Sequence, residues 1–216
     1  MKIKAAYRIF VVFCGVALGL VGAARAETLN IVGFGDSLMA GYELAPSDAF
    51  PSRLEAALKE KGYDVVIANA GVSGDTSTGG LARLDWSIPD GTHAVLLELG
   101  ANDALRGISP EKTRQNIDEM ITRLKERGIV VLLIGIVSPP NMGDDYAEKF
   151  NRIYPELSKQ HGVPLYPFFL DGVALQPDLD IGDGMHPNPD GVNVMVSRFL
   201  PFAEDLIGNI PVKVNE

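Results

Sequence analysis

Short apolar runs alternate along this 216-residue chain with stretches in which apolar residues recur every three or four positions. The runs span residues 29–34, 65–68, 94–99, 129–137 and 163–168. They are rich in Val, Ile and Leu without strict alternation, which predicts strands buried on both faces of a parallel sheet. Between them, Leu54, Ala57 and Leu58 define one helical face, and Ile117, Ile121 and Leu124 another. Ser109-Pro110-Glu111 predicts the start of the latter helix, with Ser109 as cap and Pro110 in the first turn. A third helix is predicted to carry Tyr146, Phe150, Ile153 and Leu157, bent by Pro155, and a fourth Val192, Met195, Phe199, Ala203 and Leu206. The order β-α-β-α-β-α-β-α-β-α predicts an α/β fold, a three-layer α/β/α sandwich of about five parallel strands with right-handed crossovers. With no repeat, low-complexity tract or linker, residues 27–216 read as one domain.

The first 26 residues carry a different pattern. Lys2, Lys4 and Arg8 precede an uncharged apolar stretch over residues 9–21, and Ala24-Arg25-Ala26 follows. This predicts a secretory signal peptide over residues 1–26 with an A-x-A cleavage site, leaving a chain that begins at Glu27. The apolar stretch is shorter than the roughly 20 residues of a spanning helix, so no stable membrane anchor is expected after cleavage. The expected destination is the periplasm or the exterior. The single cysteine, Cys14, lies in this leader, so the processed chain has no thiol for a disulfide or a cysteine-ligated metal. Charge shifts the picture further. The chain has 19 Lys+Arg against 28 Asp+Glu, and loss of the leader leaves 15 basic residues and a formal charge of −13. That balance repels phosphate backbones and argues against nucleic acid as a partner.

In an open parallel sheet, ligands bind beyond the carboxyl ends of the strands. Four polar segments follow the apolar runs: Gly35-Asp36-Ser37-Leu38, Gly71-Val72-Ser73-Gly74-Asp75-Thr76, Gly100-Ala101-Asn102-Asp103 and Asp183-Gly184-Met185-His186-Pro187. Ser37, between a strand and a helix, fits an N-cap as well as a nucleophile. The G-x-S-x-G elbow is missing, because Met39 stands where the second glycine would be. A nucleophilic serine needs a base, and the chain offers three histidines. His93 falls at the amino end of its strand and His161 at a helix end beside Gly162, both structural placements. His186 lies in a Gly/Pro/Asp-rich loop three residues after Asp183, a spacing that lets the carboxylate hold the imidazole Nδ1–H while Nε2 takes the serine proton. Gly74 and Asn102 are candidate oxyanion donors, through a backbone N–H and a side-chain amide, although each also fits an ordinary turn. Asp178-x-Asp180 hints at a calcium loop, but Gly182 and Pro189 break the pattern, and no metal site is assigned. Ser77, in a Gly-Asp-Thr-Ser echo of the Ser37 segment, falls inside the next helix or loop.

Taken in order, GDSL at 35–38, Gly74 within GVSGDTS, GAND at 100–103 and DGMHP at 183–187 resemble the four blocks of the SGNH/GDSL hydrolase family. NAGVSGDTSTGGLARL, ELGANDALRG, IYPEL and VPLYPFF extend the resemblance toward the family's thioesterase, lysophospholipase and arylesterase branch. The resemblance implies a flavodoxin-like sandwich and a cofactor-independent serine hydrolase of small-molecule esters or thioesters. It assigns Ser37 as nucleophile, His186 as base, Asp183 as its orienting acid, and Ser37 N–H, Gly74 and Asn102 as oxyanion donors. Asp36 is then not a triad member. Leu38, Leu105, Ile108, Met142 and Met185 are expected to wall the substrate pocket, while Phe168, also a candidate wall residue, is expected to pack in the core. The segment at 138–143 is expected to line the acyl end. Two other readings stand beside this one: a polysaccharide O-acetyl esterase using the same machinery, and a non-catalytic exported lipid- or carbohydrate-binding protein.

Overall fold

Five parallel strands form one sheet in the computed structural model, which describes residues 27–211. The expected leader over residues 1–26 lies outside the described residues, as does the terminus beyond residue 211. The strands are β1 (Leu29–Gly35), β2 (Val65–Gly71), β3 (Ala94–Glu98), β4 (Val130–Ile134) and β5 (Leu165–Tyr166), in the spatial order β2-β1-β3-β4-β5. Ile31 sits opposite both Ile67 and Ala94, and Ala94 opposite Val130.

Eight helices connect and cover the strands among the described residues: α1 (Ser37–Ala40), α2 (Phe50–Glu60), α3 (Ser77–Ser87), α4 (Ala101–Leu105), α5 (Pro110–Glu126), α6 (Asp144–Asn151), α7 (Ile153–His161) and α8 (Pro189–Gly208). The step from β1 to β2 runs in one direction across the sheet, and the steps β2 to β3 to β4 to β5 run in the other. Right-handed crossovers then put α2 on one face and α3, α5 and α7 on the opposite one. The packing agrees: α2 lies against α8, while α5 touches both α3 and α7. This is the α/β/α sandwich expected from the order of apolar runs.

The sheet departs from uniform two-faced burial at its edge. All five residues of β3 are buried, whereas β2 alternates, with Val65 and Ile67 inside and Val66 and Ala68 exposed. As the outermost strand, β2 is covered on one face only. β5 keeps two ladder residues of the six expected, because Pro164 and Pro167 flank Leu165–Tyr166 and cannot donate to the ladder.

The expected third helix is two helices. Its chain breaks at Arg152 between α6 and α7, and Pro155 falls in the first turn of α7. A proline there lacks the N–H that would bond the carbonyl four residues back and crowds that carbonyl, so one continuous helix cannot pass. The start of α5 follows its sequence, since Ser109 Oγ accepts the Lys112 N–H and Pro110 occupies the first turn. Across the α2–α8 face, Phe50 meets Phe169 and Phe199 edge to face, with ring centroids at 4.8 and 5.2 Å.

Candidate active site

The order β2-β1-β3 makes the carboxyl ends of β1 and β3 the point where successive connections leave in opposite directions. A crevice is expected at such a switch. Ser37 follows β1 and Asn102 follows β3, and both line a cavity of about 380 Å³ with Gly74 from the β2 end and His186 from the loop before α8. The four polar segments therefore converge through the sheet's topology, although residues 37 and 186 are far apart in sequence.

Ser37 is the first residue of α1, not its cap. Asp36 performs the capping, with Oδ1 accepting the Leu38 N–H at 3.0 Å. The Ser37 hydroxyl is thereby free of the backbone and lies 2.9 Å from His186 Nε2. On the other side of the ring, His186 Nδ1 is 2.6 Å from Asp183 Oδ2. Asp183 Oδ1 accepts the N–H groups of Met185 and His186, each at 2.9 Å. Desolvation pulls the Asp183 carboxyl upward, but the hydrogen bonds from the His186 ring and from the two backbone N–H groups outweigh it and hold it at about 2. An ionised carboxylate only accepts, so Nδ1 carries the proton and Nε2 is left to accept from the Ser37 hydroxyl.

The candidate oxyanion donors line the same cavity as this hydroxyl. As the first residue of a helix, Ser37 has an N–H without an intrahelical acceptor. Gly74 has φ +80° and sits third in a turn closed by the Asp75 N–H on the Val72 carbonyl at 3.0 Å. That left-handed backbone favours glycine, and Arg106 bonds the Gly74 carbonyl at 2.8 Å. Asn102 sits in the first turn of α4, and its Nδ2 donates to Asp36 Oδ2 at 3.1 Å.

The cavity wall is largely apolar. Leu38, Leu105, Phe168 and Met185 line it, with Ile136, Val137 and Pro139 from the segment after β4. Ile108 and Met142 do not. The Ile108 carbonyl takes the Tyr146 hydroxyl at 2.8 Å, and Met142 closes a single 3-10 turn, Pro140–Met142. Both belong to the outer bracing of this segment. Of the expected acyl-end segment at 138–143, only Pro139 lines the cavity, and Pro140–Met142 form the turn that follows it.

Other side chains escaped the sequence reading. Tyr42 lines the cavity and lays its ring against that of His186, centroids 4.6 Å apart. Arg83 of α3 is nearly buried and bonds Asp75 at 2.7 Å, the Ala70 carbonyl at 2.8 Å and the Gly35 carbonyl at 2.9 Å. It thus ties together the carboxyl ends of β1 and β2. Asp103 receives the Ser77 N–H and hydroxyl and the Thr113 hydroxyl, which places Ser77 in a buried structural network. His161 pairs with Asp118, and His93 Nδ1 accepts the Asn30 N–H at 3.0 Å. The signal for Arg83 was its spacing from Asp75 across a helix start, which is too common a pattern to single out.

Residues 34–194 match the GDSL-like Lipase/Acylhydrolase family. The chain belongs to that family. An arylesterase of Vibrio mimicus is 42% identical over 194 residues, covering 88% of this chain and 94% of the relative. The thioesterase 1/protease 1/lysophospholipase L1 of Escherichia coli K12 is 43% identical over 169 residues, covering 78% of this chain and 79% of its own. Among solved structures, the psychrotrophic esterase EstA from Pseudoalteromonas sp., inhibited by monoethylphosphonate, superposes with a TM-score of 0.79 at 30% identity, covering 83% of this chain and 99% of that one. The GDSL-like chain is accordingly an enzyme of the acylhydrolase kind, and its sheet is the family's sheet.

Proposed function

We propose that the protein hydrolyses carboxylic esters and thioesters, aryl esters and short to medium acyl chains among them, through an acyl-enzyme on Ser37. The observation that carries this reading is the hydrogen-bonded line Ser37 Oγ, His186, Asp183 at the mouth of an apolar cavity. Ser37 attacks the acyl carbonyl while His186 Nε2 removes its proton, and Asp183 steadies the imidazolium that forms. The oxyanion receives the Ser37 and Gly74 N–H groups and the Asn102 amide. His186 then protonates the departing alcohol or thiol. Water, deprotonated by the same ring, attacks the acyl-enzyme and releases the carboxylic acid. No step calls for a cofactor.

The apolar wall favours an acyl chain over the polar surface of a sugar polymer. A contact of this kind discriminates one methylene by only ~1–3 kcal/mol, so a broad chain-length profile is expected. The test is hydrolysis of 4-nitrophenyl esters and acyl thioesters across a chain-length series, with Ser37→Ala as control. Turnover of chains of roughly six to twelve carbons, lost in the control, is the expected result. Turnover confined to acetylated polysaccharide contradicts the acyl reading, and ligand binding without turnover contradicts catalysis.

The leader pattern supports a domain at residues 27–216 that is exported to the periplasm or beyond. Among the described residues no helix is long and apolar enough to cross a membrane. Amino-terminal sequencing of the protein recovered from its native host compartment is expected to begin at Glu27.

A further inference from the structure

Directly beneath the nucleophile, two carboxyl groups lie fully buried. Asp36 and Glu98 are each 0% exposed. Glu98 ends β3 and its Oε2 accepts the Asp36 N–H at 3.1 Å, while Oε1 has no hydrogen-bond partner among the described residues. Asp36, by contrast, is fully engaged: Oδ1 takes the Leu38 N–H at 3.0 Å and Oδ2 takes Asn102 Nδ2 at 3.1 Å. Burial pushes Glu98 well above its ordinary range, helped by the charge on Asp36, and raises Asp36 to about 6 against its hydrogen bonds. Of the two, Asp36 has a donor on each carboxyl oxygen and Glu98 on only one, so Asp36 is the member better placed to hold a negative charge.

This arrangement matters for the orientation of Asn102. A carboxamide has nearly the same shape when turned over, but turning it exchanges two donors for an acceptor. A carboxylate oxygen accepts only, so it admits the NH₂ end and rejects the carbonyl end. The amide is planar, and with one N–H committed to Asp36 the other is directed away from it.

We propose that Asp36 is a positioning residue, whose carboxylate fixes the Asn102 carboxamide with its second N–H toward the oxyanion. The inference rests on the acyl-enzyme reading given above. Asp36 touches neither substrate nor Ser37 Oγ; it acts through Asn102. Its second oxygen explains why an aspartate suits this place better than another cap residue. Ser or Thr would satisfy the Leu38 N–H and leave the amide ungoverned.

The test is a double-mutant cycle at positions 36 and 102, read as kcat and KM on one soluble 4-nitrophenyl ester. Asp36→Asn is nearly isosteric, yet its oxygen is claimed by the Leu38 N–H and its NH₂ then faces that of Asn102. Asp36→Ser keeps the cap and loses the reach. Both variants are expected to lower kcat ~10²-fold or more, as Asn102→Ala does, with KM within a few fold. Because the two residues act as one unit, either variant combined with Asn102→Ala is expected to be no slower than Asn102→Ala alone. Wild-type kcat in Asp36→Ser, or losses that multiply in the double variant, overturns the proposal. So does failure of both variants to fold, which would make Asp36 a folding residue. Ser37→Ala separates this from the underlying reading: an active Ser37→Ala protein removes the acyl-enzyme itself, whereas an inactive one beside a fully active Asp36→Ser removes only the positioning role.

Discussion

Ser37 shows how little a residue's type says until its neighbour's task is known. A serine between strand and helix fits capping, and here Asp36 takes that task, leaving the hydroxyl to His186. Ser37→Ala and His186→Ala are each expected to abolish ester hydrolysis while far-ultraviolet circular dichroism and Tm stay close to wild type. Asp183→Asn reverses the donor need at Nδ1 and is expected to cost about 10⁴ in kcat, by the logic of a wrong tautomer. Asp180, whose carboxylate accepts the Gly182 N–H within the same loop, is expected to lose less than about tenfold on changing to Asn, since it makes no bond to the ring. Steady-state rates for the pair decide between them, and equal losses would mean that Asp183 does not orient His186. At this scale the sequence was legible where chemistry needs particular residue types in the loops beyond the sheet: Ser37, Gly74, Asn102 and His186 line one cavity, and Asp183 bonds the far side of the His186 ring. It was illegible where a role depends on which way a side chain turns. Nothing in the sequence separates Phe168, which lines the cavity, from the neighbouring Phe169, which is buried in the core.

Elements bring these residues together, and their ends carry the information. The apolar runs gave strand existence and order of appearance, because burial on both faces demands continuous Val, Ile and Leu. Their limits depended on backbone donors, which is why prolines shortened β5 and split α6 from α7. Arg83 is the element-scale feature that apolar periodicity could not expose. Its guanidinium stands 4.0 Å over the Phe34 ring and bonds carbonyls from two strands. Arg83→Met leaves the largely covered Asp75 carboxylate without its cation and two strand-end carbonyls without their donor, a change expected to cost about 3 kcal/mol of stability. Urea denaturation checks this, and a midpoint unchanged from wild type would show that the strand ends hold without the arginine.

For the whole molecule, the buried carboxyl pair couples folding to pH. Both groups have folded values raised above their ordinary ones, so the native state binds their protons more tightly than the unfolded chain does. Their contribution is fully present below the unfolded values, near 4, and is lost as pH rises through the folded ones, for Asp36 about 6. Glu98→Gln removes one of these titrations. Its Tm is expected to fall less than that of wild type between about pH 4 and pH 7, a difference that calorimetry at matched ionic strength measures directly. Parallel curves would contradict a Glu98 carboxyl raised by burial in the native state.

The central claim is that Ser37 is made nucleophilic by His186. The most direct measurement is reaction of the protein spanning residues 27–216 with a fluorophosphonate, followed by peptide mapping, beside a His186→Ala control. The account predicts one adduct, on Ser37, that vanishes in the control. No adduct, or an adduct that persists without His186, would contradict it.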